Sequence, residues 1–485
     1  MSLSKQDREQ RRAPLHAAVT GYVRRAPAVF HVPGHRQGRA APAALRRLLG
    51  SGLCADLTEA PGLDDLHAPS GAIERAHRLL ARAFGAGASF FLVGGTTAGI
   101  QALLLAAGPP GSRVVVPRHS HRSVLAGLVL AGHEPVYVRP TYDPDLDLPL
   151  GVPPASVDQS LAACPEAVAV LAVHPTYHGV PAQVAELAAV AHRHGVPLLV
   201  DEAHGAHFAF HPALPEAALA AGADASVQSL HKTGGSLTQS SVLHLAAGSP
   251  LPPDRVRELL ALVQSSSPSY LLMVSLDLAR RHLALHGRAR WERALETAAR
   301  VRRAVGRIRG LRVPEVPGGD PTRIIVDVRG RKLSGPQAAR ALWRRGVAVE
   351  LAGPGYVLLV VGPGTGRDDV ARLLAALADL PEGRRAPQRL GEPPWPQVAL
   401  PPRAALLGPR RRLPLRDARG EVAAEAVIPY PPGIPAVAPG EVLTPEVLEY
   451  LARLRRVGAH LQGAADPRLE TIAVVDQGDA CRPGS

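Results

Sequence analysis

The chain has 485 residues, 55 Lys+Arg against 42 Asp+Glu, 46% hydrophobic residues and 20% charged ones. At about 150 residues per domain, this length suggests roughly three globular domains. No apolar run nears the ~18 residues of a membrane span, the polar start MSLSKQDREQRRA lacks the apolar core of a secretory signal, and Gly plus Pro stays below the roughly 25–30% of low-complexity chains. A membrane, secreted or disordered protein is not expected.

From about residue 85 to 245 one pattern repeats. A short apolar run ends in a polar cluster, and a helix-like stretch follows. SFFLV (89–93) leads into GGTTAG, RVVVP (113–117) into RHSHRS, VAVLAV (168–173) into HPTYHG, VPLLV (196–200) into DEAHGAH, and ASVQS (225–229) into LHKTGG. Continuous apolar strands imply burial on both faces. Their alternation with helices predicts an α/β fold with a doubly wound, mostly parallel sheet. In such sheets ligands bind outside the carboxyl ends of the strands, so all five clusters are expected on one rim. Residues 281–310 read as an Arg-rich helix. TRIIVDV (322–328), an amphipathic stretch near 335–345 and YVLLVV (356–361) suggest a small α+β domain. A Pro-rich stretch follows, and TPEVLEYLARLRRVG reads as a helix near the end.

Cys54, Cys164 and Cys481 form neither a disulfide framework nor a CxxC metal site, which points to a reducing cytoplasm. The net charge of +13 could signal nucleic acid. The arginines are spread along the whole chain, however, and aromatics are only 4%, too few for base-stacking platforms. Neither nucleic acid nor membrane is expected as a partner.

Only three cations are lysines: Lys5, Lys232 and Lys332. Lys5 and Lys332 lie in polar surroundings, whereas Lys232 sits between an apolar strand and a glycine pair. An amine can act as a nucleophile where a guanidinium cannot, so Lys232 is a candidate for a Schiff base. If SLHK stayed extended, Ser229 and His231 would share a face and Lys232 would point away. GGTTAG offers Thr96, Thr97 and a helix N-terminus as a phosphate cradle. It matches neither dinucleotide nor P-loop motif, and a Gly-rich turn by itself is commonly just a turn. Asp201, ending a buried strand, needs a partner: an N-cap, a structural pair, or the protonated ring nitrogen of a cofactor. His121 could stack on an aromatic cofactor or be an ordinary loop histidine. Asp201, His204 and His207 could instead bind a metal, but that reading leaves Lys232 and the glycine cradle unused, and no metal is expected. Cradle, acid and lysine, in that order on strand ends, point to pyridoxal phosphate.

The stretches FHVPGHRQG (30–38), DLTEAPGLDDLHAPSG (56–71), FFLVGGTTAGIQA (90–102), DEAHGAHF (201–208), SLHKTGGSLTQSS (229–241), SSPSYLLMVSLDLAR (266–280) and YPPGIPAVAPGE (430–441) together resemble the bacterial ornithine/lysine/arginine decarboxylases, in a short form without a wing domain. The resemblance implies pyridoxal phosphate fold type I. It implies an N-terminal arm (1–38), a large cofactor-binding domain (39–290), a small α+β domain (291–385), a Pro-rich linker (386–402) and a C-terminal domain (403–485). It implies catalytic roles for Lys232, His231, Asp201 and His121. Thr96, Thr97, Ser229 and His231 would lie on the phosphate side, and His204 against the cofactor. Glu441 would address the substrate's distal cation, and Ser267 would reach across a homodimer interface. Gly94 and Ile100 stand where family members commonly carry Asn. The implied reaction is decarboxylation of a basic amino acid, arginine ahead of lysine and ornithine, in polyamine biosynthesis. An aminotransferase or lyase on the same scaffold, and a non-catalytic regulator, are the alternatives.

Overall fold

The computed structural model describes residues 5–385, 387–430 and 433–476; Cys481 and the first two prolines of the YPPG stretch lie outside them. Among the described residues, nine strands occupy the first half of the chain: β1 (Ala88–Leu92), β2 (Arg113–Pro117), β3 (Glu134–Val138), β4 (Tyr142–Asp143), β5 (Leu148–Pro149), β6 (Ala167–Val173), β7 (Leu198–Asp201), β8 (Ala225–Gln228) and β9 (Ser241–Leu245). The chain divides into two compact units. The first comprises the chain up to Ala107 with Pro197–Trp291, the second Gly108–Val196 with the chain from Glu292 onward.

In the first unit the strand order is β1-β9-β8-β7. β7 and β8 pair parallel, with Asp201 opposite Val227. β9 pairs antiparallel with both β8 and β1. All residues of β7, β8 and β9 are buried, as their apolar runs require for a sheet covered on both faces. The sequence pattern located β1, β7 and β8 but not β9, whose SVLHL run has no strand–cluster–helix context of its own. The helix Gly95–Ala107 lies close on this sheet. A Cβ on Gly99 would stand 2.6 Å from Val227 Cγ1 and 2.7 Å from Leu92 Cδ1, so only glycine admits that approach. Ile100 beside it is fully buried, an apolar core position rather than a polar contact.

The same unit holds the N-terminal arm through a buried ion pair. Asp277 and Arg280, on the 36-residue helix Tyr270–Val305, meet at 2.6 Å with both side chains fully buried. Arg280 donates to Gln10 O at 2.8 Å, to Gln10 Oε1 at 3.0 Å and to Arg12 O at 2.5 Å. The backbone N–H of Leu15 donates to Asp277 Oδ2 at 3.0 Å. Leu15 and Val19 then bury beside Ile73, Leu80, Phe91 and Leu276.

In the second unit β2 lies between β6 and β3, parallel to both. A separate antiparallel sheet contains β10 (Arg323–Asp327), β11 (Leu351–Ala352) and β12 (Tyr356–Val360), with β12 central. Its core joins Ile324, Val326, Val357 and Leu359 to the helix Gly335–Trp343 through Ala338 and Leu342. That helix begins in a capping box: Ser334 Oγ accepts from Gln337 N, and the Gln337 side chain accepts from Ser334 N, satisfying donors that a helix start leaves open. Near the end, β13 (Arg410–Pro414) pairs with β16 (Thr471–Val475), and β14 (Ile428–Pro429) with β15 (Leu461–Gln462). The helix Pro445–Arg456 carries Thr444 as N-cap, Pro at its first turn, and Arg453, Arg455 and Arg456 in its last turn, matching the helix dipole. Among the described residues no helix is long and apolar enough to cross a membrane.

Candidate active site

In the first unit the ends of three strands supply the predicted groups. β8 ends at Gln228 and the chain turns at once into a short helix, Leu230–Thr233, with Ser229 at its N-cap. The strand pairing therefore stops at Gln228 and extended backbone goes no further than Ser229, so SLHK does not stay extended. The turn brings the Lys232 amine to 2.8 Å from His204 Nε2. An ammonium can only donate, so His204 Nε2 is the acceptor and its ring proton sits on Nδ1. Lys232 is exposed in the single chain, whereas His204 is buried.

Asp201 ends β7 as a buried carboxylate, 6% exposed, and its Oδ1 accepts from Ala203 N at 3.1 Å. Its neighbour Glu202, which the sequence reading passed over, is fully buried. Its Oε1 accepts from Ala218 N at 3.0 Å and its Oε2 from Gln228 Nε2 at 2.8 Å. Burial pushes this carboxyl up to about 7, because the charged form loses its water.

Ser229 is fully buried and its Oγ donates to Thr96 Oγ1 at 3.4 Å. Thr96 and Thr97 occupy the first turn of the helix Gly95–Ala107, where open backbone N–H groups favour an anion. His231 Nδ1 donates to the carbonyl of Ser240 at 2.8 Å, which leaves Nε2 as an acceptor. Burial holds its pKa below the ordinary histidine value, despite the Ser240 contact, which acts the other way. Ser267 is exposed in the loop before Tyr270, and its N–H donates to Ser265 Oγ at 3.1 Å. Gln264 ties that loop to the residue after β1, its Oε1 accepting from Val93 N at 2.7 Å.

His207, the third member of the possible metal set, lies 4.2 Å from Trp291, ring centre to ring centre. His204 meets Lys232 and Asp201 faces Ala203 N. Among the described residues no group of His, Cys, Asp and Glu converges as a metal site.

The second unit holds His121 and Glu441. His121 caps the helix Arg122–Ala131. Its Nδ1 accepts from Ser123 N at 3.2 Å and lies 2.9 Å from Ser123 Oγ, so the proton of the neutral ring is on Nε2. The loop before it is clasped by the C-terminal segment. Arg122 N donates to Gly433 O at 2.9 Å. Arg118 donates to Pro435 O at 2.7 Å, Ala436 O at 3.3 Å and Glu441 Oε2 at 3.0 Å. Ala438 N donates to the same carboxylate oxygen at 2.9 Å. Glu441 is 4% exposed, and burial pushes its carboxyl up against the opposing pull of Arg118. Its other oxygen, Oε1, is buried with no hydrogen-bond partner among the described residues. A cavity of about 800 Å³ also lies in this unit, walled in part by Arg118, His119, Tyr430 and Tyr450; it draws on the polar cluster after β2 and on the YPPGIPAVAPGE stretch, but not on Lys232, Asp201, Thr96, His121 or Glu441.

The family model described as "Orn/Lys/Arg decarboxylase, major domain" matches residues 13–317, and the C-terminal domain model of the same family matches residues 397–470. The chain belongs to the Orn/Lys/Arg decarboxylase family. It is a carboxy-lyase whose cofactor is pyridoxal phosphate. It is 36% identical to an arginine decarboxylase of Bacillus subtilis, over 96% of this chain and 99% of that one. An arginine decarboxylase of Halalkalibacterium halodurans is also 36% identical, over 98% and 99% of the two chains. The structure of the Escherichia coli constitutive lysine decarboxylase superposes with a TM-score of 0.81 at 22% identity, covering 96% of this chain and 82% of that one. This likeness shows the expected fold, pyridoxal phosphate fold type I.

The first unit's groups fit that cofactor on their own chemistry. The half-buried Thr96 and exposed Thr97 hydroxyls at a helix start, beside the buried Ser229, suit a phosphate dianion. A buried carboxylate suits a protonated ring nitrogen, and a primary amine suits an aldehyde.

Proposed function

We propose that this chain converts arginine to agmatine and carbon dioxide, with lysine and ornithine as weaker substrates. The observation that carries the reading is the Lys232 amine held 2.8 Å from His204 on the turn after β8, with Asp201 ending the neighbouring strand. Likeness to proteins named arginine decarboxylase over nearly the whole chain supports the choice of arginine.

When bound, the cofactor supplies an electron sink for the pair left behind as the carboxylate departs. Lys232 provides the amine that anchors the cofactor's aldehyde. Asp201 keeps a proton on the ring nitrogen, acting where charge changes during reaction. Thr96, Thr97 and Ser229 would hold the phosphate at the helix start, and His121 would serve as the residue that stacks on the ring. Burial holds the His231 pKa below its ordinary value. The proton that replaces CO2 at Cα would come from His231 or from Lys232, whose amine lies against His204. Glu441 offers its unpartnered Oε1 to the substrate's distal guanidinium. Ser267, exposed in the single chain, reaches the site of a partner copy in a homodimer. The protein works in the cytoplasm, and its product feeds polyamine biosynthesis.

The test is turnover of arginine, lysine and ornithine, scored for CO2 and amine. Arginine should be the fastest, and Lys232→Ala should lose both the visible cofactor band and CO2 release. Keto acid in place of CO2, or full activity without Lys232, would overturn the assignment.

A further inference from the structure

Gly433 stands 312 positions beyond His121 in the chain, yet a side chain there would meet the His121 ring. It adopts φ +89°, a conformation that side chains with a Cβ rarely take. A Cβ placed there would stand 3.1 Å from His121 Cδ2, 3.2 Å from His121 Nε2 and 3.4 Å from Tyr430 Cδ2. The same residue accepts from Arg122 N at 2.9 Å, and its own N–H donates to Pro429 O at 3.1 Å. Ser123 fixes the Nδ1 side of the ring; a Cβ at position 433 would press on the Cδ2 and Nε2 side.

We propose that Gly433 is a positioning residue for the His121 ring: the bare glycine leaves the imidazole a plane that any side chain at position 433 would displace. The proposal rests on the reading of His121 as the cofactor-stacking histidine. Two costs arise when Gly433 gains a methyl group. One is backbone strain at positive φ, which is independent of residue 121. The other is the displacement of the imidazole, which vanishes when residue 121 is small. A double-mutant cycle separates them.

The experiment titrates pyridoxal phosphate into apo-protein and reads its dissociation constant from the visible absorbance. It compares the wild type, Gly433→Ala, His121→Ala and the double variant. Gly433→Ala should weaken binding by about tenfold, within the coupling range of directly contacting residues, and shift the band of the bound cofactor. In the His121→Ala background the same change should alter binding less than about twofold. An equal penalty in both backgrounds overturns the role of Gly433 and leaves the His121 reading intact. Unchanged affinity in His121→Ala overturns both. Should Gly433→Ala fold poorly, Gly433→Ser with and without His121→Ala repeats the cycle, and circular dichroism of the apo-proteins verifies the fold.

Discussion

Glu202 makes a proton part of the folding equilibrium. Its carboxyl sits near 7 in the folded chain, against 4.5 for a free side chain. Between those values the folded state holds a proton that the unfolded chain has released. The stability this group contributes is fully present below about pH 4.5 and is lost as pH rises through about 7, a swing on the order of 3 kcal/mol. Gln228 Oε1, buried without a hydrogen-bond partner, completes the account, because a flipped Gln228 amide would accept the Glu202 proton. Glu202→Gln can use the same flipped partner. It should keep the fold and flatten the pH dependence of stability between pH 5 and 8, measured by urea unfolding. A slope unchanged from wild type would show that the titration lies elsewhere.

At the scale of elements, the Asp277–Arg280 pair joins a helix to the N-terminal arm. Truncating one partner leaves the other buried without its counter-charge. Asp277→Ala should therefore cost about 3–5 kcal/mol and release the arm, so that amides near residues 10–15 lose hydrogen-exchange protection before the rest of the unit. Uniform loss across the unit would mean that the arm is held by packing rather than by the pair. Elements also mark what was legible in the sequence. The strands of buried β-branched runs and the polar clusters after them were visible because burial on both faces forces unbroken apolar stretches. Asp201 stood out because it ends such a stretch, Lys232 because lysine is so scarce in this chain, and Thr96 because it follows a glycine pair at a helix start. β9 did not, since an antiparallel strand without a following cluster leaves no repeat to detect. Glu202 was hidden behind Asp201, and the partners Arg118–Glu441 and His121–Gly433 were hidden by separation in sequence. Arg118 entered the sequence analysis only as the first residue of the RHSHRS cluster, and only folding shows it engaged with Glu441. The turn at Ser229 was likewise out of reach, because nothing in SLHK announces that the strand stops at Gln228.

At the scale of the whole molecule, the proposed homodimer makes a distinctive prediction. If Ser267 serves the partner's site, Lys232→Ala and Ser267→Trp should each be inactive alone, and mixing them should restore activity. After free subunit exchange half the dimers are mixed and each carries one intact site, so about a quarter of wild-type CO2 release should return. Mixtures as inactive as their parents would confine each site to one chain. Finally, the scarcity of lysine turns Lys232 into an analytical landmark. A protease that cuts after lysine can act only behind Lys5, Lys232 and Lys332, so reductive fixation of a carbonyl compound on the exposed Lys232 amine would fuse two of its four fragments into a single peptide running from residue 6 to 332. One gel band would then count how many molecules in a sample carry their prosthetic group, with no assay of turnover.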